Sequence, residues 1–227
     1  MSLEGVNGVG KTYLAGRAAH ALGPVCQPLT ELPDAHPQQL PGQIITALHA
    51  AGDLFLRTGH PRTETLLLAA LVVHRHEQTT NEPGLRPGVQ VVLEDRSVHS
   101  VAAYQAAILT GDDEHAHTLA RHILHTVAAW RQLPDATVLL RDDPGACQRR
   151  FCQRIGRPAR PDELALMARV DRLYADLATD DPDRFTVIDR RHADEQAVVE
   201  AIILTCRRTA ETVSATANPS KEVPCAR

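Results

Sequence analysis

The eight residues GVNGVGKT, Gly5 to Thr12, constrain this chain more than any other stretch. They satisfy the pattern GxxxxGK[ST], in which glycines let a loop turn tightly with its N–H groups facing inward. A strand candidate, MSLEG, precedes the loop, and a run of good helix formers, KTYLAGRAAHALG, follows it and stops at Gly23 before Pro24. Strand, loop and helix in that order make a phosphate cradle, because the loop amides and the positive end of the helix both attract polyphosphate oxygens. Gly5, Asn7, Gly8, Gly10 and Tyr13 are expected around the nucleotide. Lys11 is expected, on a solvent-facing loop, to reach the β- and γ-phosphates, and Thr12 to give its hydroxyl to Mg²⁺. Lys11 is one of only two lysines, the other being Lys221, against twenty-two arginines, so half the lysine of the chain sits in the motif. Only Met1 to Glu4 stand before the loop, fewer than the roughly five or six residues usual for a strand.

The remaining sequence alternates strand-length apolar runs with longer helical patterns, which predicts a parallel sheet wrapped by helices. VCQPLTELP is an irregular second strand interrupted by Pro28, VQVVLED is the clearest buried strand, and ATVLLRDD and FTVIDR follow. Helical patterns run from Leu40 to about Gly59, including DLFLR, and through TETLLLAALVVHRHEQ after Pro61. Others are SVHSVAAYQAAIL, HAHTLARHILHTVAAW, PGACQRRFCQR, ELALMARVDRLYADLA and EQAVVEAIILTCRR. One domain over residues 1–208 is expected, with 209–227 a disordered tail, since TAETVSATANPSKEVPCAR has no periodicity and little to bury.

A net charge of -4 gives no support to binding a nucleic-acid polymer, which needs a basic face, so small molecules are the expected partners. There is neither an apolar run of bilayer-spanning length nor a secretory signal pattern, and a cytoplasmic protein without membrane contact is expected. Five cysteines without a CxxC pair read as reduced thiols.

A second constellation, LEDRSVHSVAAYQ, follows the clearest strand and puts Glu94, Asp95 and Arg96 at the carboxyl edge of the sheet, where open α/β sheets bind ligands. An acid there can order a metal's water shell, and the adjacent arginine can clamp an anion with its planar fork.

Taken with the glycine loop, the run DRS through AYQ (Asp95, Arg96, Ser100, Tyr104, Gln105), a buried helix carrying Arg75 and the arginine-rich QRRFCQRIGRPAR resemble the thymidylate kinases and the neighbouring deoxynucleoside kinases. The resemblance covers about residues 1 to 206 in order. It implies an α/β P-loop NTPase fold, a three-layer sandwich whose five-stranded parallel sheet has order 2-3-1-4-5, with helices on both faces and an arginine-rich lid at about 149–161. It also implies ATP and Mg²⁺ as cofactors and a nucleoside or nucleoside monophosphate as acceptor. Lys11, Asp95, Arg96 and Arg154 would then be catalytic, Thr12 and Asp95 would hold Mg²⁺, and Arg149, Arg150 and Arg157 would meet the nucleotide. Leu71, Arg75, Arg96, Ser100, Tyr104 and Gln105 would surround the acceptor, and the helix TETLLLAALVV would suit a homodimer contact.

The chain departs from thymidylate kinases at three places. Asn7 stands where those enzymes usually carry an acid, and Leu71 stands nearest the position of their base-stacking aromatic. Glu31, in LTELP, occupies about the place of a cation for the acceptor's phosphate. A carboxylate repels a phosphate but is what a general base needs beside a free hydroxyl, so Glu31 is a candidate for both catalysis and acceptor binding. Two other readings stay open: the same chemistry on a non-nucleoside hydroxyl metabolite, and a nucleotide-binding regulatory switch.

Overall fold

Strand β1 (Ser2–Glu4) is only three residues long, yet it is wholly buried and occupies the centre of the sheet. It compensates for its length by pairing on both sides, Ser2 standing opposite both Glu94 and Thr137. The computed structural model describes residues 1–29, 31, 38–80 and 84–216. After β1 come α1 (Lys11–Leu22), β2 (Cys26–Leu29), α2 (Leu40–His49), α3 (Pro61–Thr80), β3 (Val91–Asp95) and α4 (Val98–Leu109). The chain continues through α5 (Asp113–Ala128), β4 (Thr137–Arg141), α6 (Pro144–Ile155), α7 (Pro161–Asp180), β5 (Phe185–Asp189) and α8 (Glu195–Thr216).

All strand pairs are parallel, and the order is β2-β3-β1-β4-β5, as the resemblance implies. Helix α1 packs with α8, while α4 is flanked by α3, α5 and α7, so the sheet carries a layer of helices on each side. Parallel strands need such crossovers, and this arrangement brings the loops after β1, β2, β3, β4 and β5 to one carboxyl edge. No described helix is long and apolar enough to cross a membrane.

Three elements differ from the sequence reading. Helix α2 ends at His49, and DLFLR forms a loop instead of continuing it. Gly52 turns left-handed (φ 71), and the Asp53 carboxylate then accepts from the amides of Phe55 and Arg57. An aspartate that satisfies local amides in this way competes with the helical ladder. Helix α8 runs on to Thr216, past the boundary expected at 208, with the Thr209 and Thr212 hydroxyls donating to carbonyls one turn back. Residues 217–227, with Lys221 and Cys225, lie outside the described residues, as do Thr30, Leu32 and Pro33 of LTELP. Arg149, Arg150 and Arg154 sit on helix α6 itself, so the loop between α6 and α7 spans only 156–160.

The glycines of the first loop answer to protein backbone as well as to phosphate. A Cβ on Gly5 would stand 2.5 Å from the carbonyl oxygen of Leu140, and one on Gly8 would stand 2.1 Å from that of Cys147. The loop is thus wedged between β4 and the first turns of α6. Gly8→Ala should therefore combine a backbone clash with a left-handed φ of 80 and lower stability by roughly 2–4 kcal/mol, about 5–15 °C in Tm. Thermal unfolding monitored by circular dichroism checks this, and an unchanged Tm would contradict such close packing.

Candidate active site

The cradle is built as its sequence predicts, with one difference in its lysine. Gly5, Gly8 and Gly10 all take positive φ, and no side chain caps the start of α1, so its first-turn amides keep their capacity for an anion. Lys11 is buried, not solvent-facing. Its ammonium folds back to donate to the carbonyls of Gly5 at 2.8 Å and Val6 at 3.0 Å, closing the loop on itself. Burial, and then the nearby Arg96 guanidinium, pull its pKa down to about 7, with Glu31, Asp95 and Glu4 acting in the opposite sense.

Beside the cradle stands an unsatisfied carboxylate. Asp95 is buried, and neither of its oxygens has a hydrogen-bond partner. Burial first, and Glu31 second, raise its pKa, and Lys11, followed by the neighbouring Thr12 hydroxyl and Arg96, offsets only part of this. A buried carboxylate left without a donor is costly, and a cation relieves that cost. Asp95 and Thr12 therefore fit Mg²⁺, the rest of whose shell would come from phosphate oxygens and water, since no cluster of three metal-binding side chains occurs among the described residues.

A cavity of about 510 Å³ opens beside Asn7 of the cradle, between α3, α4 and α6. Arg96, at a left-handed φ of 63, spreads its fork into it. Its Nε donates to Glu31 Oε1 at 2.8 Å, its Nη2 to Asn7 Oδ1 at 2.5 Å and its Nη1 to Ser100 Oγ at 3.4 Å. The guanidinium lies over the Tyr104 ring, 5.1 Å from its centroid. Arg75 supports this turn from α3 by donating to the Arg96 carbonyl at 2.6 Å. Burial alone would raise the pKa of Glu31, but Arg96 and then Lys11 hold it below the ordinary value, so Glu31 is an ionised partner. Tyr104 accepts from the Asn7 amide, and Gln105 lies on the floor of the cavity, held by Thr65.

The lid arginines divide. Arg150 donates to the Gly8 carbonyl at 3.1 Å and to Asp142 at 2.8 Å, which places it against the cradle. Arg154 faces the cavity, over the Phe151 ring, and helps lower the pKa of Glu31. Arg157 also lines the cavity instead of the cradle, because Glu163 holds it in a two-bond pair at 2.7 and 2.9 Å. Arg149 is exposed on α6 and joins neither group.

Two further residues fall elsewhere than expected. The Tyr13 ring is 57% exposed and reaches to α8, where its hydroxyl donates to Glu195. Leu71 is buried in the core, while Leu68 and Val72, on the Arg75 face of α3, line the cavity. A helix advances about 100° per residue, so Leu71 is rotated off the stripe that those residues share.

Three contributors were missed. Glu4 accepts from the Ser97 amide at 2.8 Å, Ser100 Oγ at 2.5 Å and the Tyr174 hydroxyl at 3.0 Å, so it shapes the Arg96 turn. An acid inside a buried strand next to the glycine loop was the available signal. Arg190, after β5, donates to the Val9 carbonyl and packs on Gly10. It was open to the same carboxyl-edge argument that singled out Arg96. Phe55 lines the cavity from DLFLR and was hidden by the helical reading of that stretch.

The sequence model of the thymidylate kinase family matches residues 3–202. A probable thymidylate kinase of Halorubrum lacusprofundi is 31% identical over 198 residues, covering 87% of this chain and 92% of that protein. A thymidylate kinase of Leifsonia xyli subsp. xyli is 32% identical over 203 residues, covering 88% and 90%. Among solved structures, thymidylate kinase from Candida albicans superposes with a TM-score of 0.65 at 17% identity, covering 92% of each chain. That from Ehrlichia chaffeensis gives 0.63 at 21%, covering 91% of this chain and 96% of its own. At those identities the structural likeness speaks to the fold.

The depressed lysine gives a pH test. A triphosphate beside Lys11 favours the ammonium, so the bound pKa exceeds the free value of about 7. Binding of a nonhydrolysable ATP analogue near pH ~8 should take up close to one proton, and its affinity should fall as pH rises above neutral. Calorimetric titration in two buffers of different ionisation enthalpy reads the uptake directly. Equal heats in both would mean that Lys11 is already charged in the empty cradle.

Proposed function

The chain belongs to the thymidylate kinase family and transfers a phosphoryl group from ATP to a nucleoside monophosphate, and we propose that the acceptor is thymidylate and that the residues around the cavity divide the work as follows. The observation carrying this reading is that Lys11 on the glycine loop, Asp95 with no hydrogen-bond donor on either oxygen, and the Arg96 fork gather at one sheet edge, where Arg96 opens into the cavity. The loop amides and Lys11 receive the β- and γ-phosphates, Lys11 exchanging its two carbonyl partners for phosphate oxygens. Thr12 and Asp95 would hold Mg²⁺, which would supply charge neutralisation on those oxygens. Arg96 orients the acceptor's reacting end, while Tyr104 and Gln105 floor the cavity and Arg75 keeps the Arg96 turn in place. Arg150 from the cradle side and Arg154 from the cavity side neutralise charge in transit and exclude water. Leu66, 72% exposed on α3, supports that helix as a contact between two copies.

One observation favours a second reading. Glu31 already neutralises Arg96, an arrangement suited to a hydroxyl acceptor with Glu31 as base. In the first reading the acceptor's phosphate displaces Glu31 from the fork.

ADP release measured with thymidylate, other nucleoside monophosphates and free nucleosides tests both readings. Thymidylate should be turned over fastest, and Lys11→Ala should lower kcat by at least ~10²–10³-fold. Glu31→Gln should leave thymidylate turnover within a few-fold or raise it. A fall of ~10²–10⁴-fold, the loss expected of a missing general base, would transfer the assignment to a hydroxyl acceptor.

A further inference from the structure

The chain has two non-glycine residues with left-handed φ among those described, Leu56 (φ 61) and Arg96 (φ 63), and both line the same cavity. Such backbone is costly for a branched side chain and persists only where the surroundings enforce it. For Arg96 the enforcing groups are Glu4 and Arg75, described above. Around Leu56 they form a compact brace within the loop between α2 and α3.

Asp53 is the hub of that brace. Its carboxylate accepts from the amides of Phe55 at 2.9 Å and Arg57 at 3.3 Å and from the Arg57 side chain at 2.8 and 3.0 Å. Two charged groups next to the lid complete it: Arg160 donates to Asp53 at 3.1 Å, and Arg57 donates to Asp162 at 2.8 Å. Phe55, 6% exposed, drives the loop into the core between the Tyr104 ring of α4, 6.0 Å away, and the Phe151 ring of α6, 5.9 Å away. The floor of the cavity, the loop and the lid helix thus share one aromatic stack. On either side of the Phe55 anchor, Leu54, at 41% exposure, and Leu56 face the cavity. An exposed leucine beside a strained one, both on the wall of the same cavity and set there by a braced loop, gives that wall an apolar surface matched to a flat apolar occupant.

We infer that the Asp53–Arg57 loop is the recognition wall for the acceptor's flat base, Leu54 and Leu56 covering its weakly polar surface while Phe55 and the bonds to Arg160 and Asp162 keep that wall in register with the lid. This rests on the nucleotide-kinase reading and deepens it by assigning base selection to a segment outside the cradle, α3 and α4. The wall sets acceptor affinity and leaves nucleotide donor affinity alone, since among the described residues its side chains bond and stack with α4, α6, Arg160 and Asp162 and not with the glycine loop.

Leu54→Gln and Leu56→Gly separate recognition from packing. Leu54 is exposed, so a polar replacement leaves the fold intact, and glycine at a left-handed position relieves strain. Each variant should raise the KM for thymidylate roughly tenfold, with the KM for ATP within twofold and Tm unchanged or higher. Thymidylate binding without ATP, measured by calorimetry, should weaken by the same factor. Acceptor KM and Kd within twofold of the parent in both variants, or an equal rise in the KM for ATP, would overturn the assignment. If the parent binds a nucleoside or nucleotide without phosphorylating it, the same variants are compared on that ligand. Weakened binding then upholds the wall although the kinase reading falls. If no nucleoside or nucleotide binds the parent, the wall assignment falls with it.

Discussion

A buried carboxylate at the end of the shortest strand holds the two halves of the site in register. Glu4 closes β1, the glycine loop begins at the next residue, and its two oxygens accept from Ser97 after β3, Ser100 on α4 and Tyr174 on α7. Donor loop, acceptor turn and the helix that follows the lid therefore meet on one functional group. Burial raises its pKa, and the hydrogen bonds from Ser100 and the Ser97 amide work against that. Removing any of these donors would leave the buried Glu4 carboxyl short of a hydrogen-bond partner, at the desolvation cost of an unsatisfied acceptor.

Around that fixed point the charges of the site are unbalanced. Lys11 is drawn towards neutrality, Asp95 is unpartnered with a raised pKa, and Glu31 is held ionised by a cation of the acceptor cavity. The departures of Lys11 and Asp95 have the sign that a polyphosphate and a divalent cation would relieve, whereas an anionic acceptor would have to displace Glu31 from the Arg96 fork. Perturbed groups gathered in one cleft are the pattern expected where binding energy is directed to chemistry. A structural ion-pair set lies beneath them, where Arg131 holds Glu94 at 2.9 Å and Arg75, on the cavity wall, reaches it at 3.3 Å.

Much of this arrangement was legible in the sequence because it follows from rules of local order. The glycine loop between strand and helix, the acid and arginine at the end of a buried strand, and the alternation that gives a parallel sheet each have a short-range signature. What escaped depended on tertiary contacts. The helical pattern of DLFLR yielded to an aspartate that found a partner in Arg160, 107 residues away, as well as in nearby amides. Leu71 and Val72 are neighbours in sequence and equally apolar, and only helix phase against the rest of the fold sends one to the core and the other to the cavity. The four lid arginines are alike in sequence, yet their partners separate them: Arg150 meets the cradle, Arg154 lies over an aromatic ring, Arg157 is held by Glu163, and Arg149 is left to solvent.

The contact between Gly8 and the Cys147 carbonyl makes α6 a lever with its fulcrum on the glycine loop. From Cys147 to Arg154 the helix axis runs about 10 Å, so a tilt of roughly 10° at the pivot swings the far guanidinium by about 2 Å. A phosphate settling beneath the pivot would be felt at the opposite end of the rod as a displacement comparable to a hydrogen-bond length.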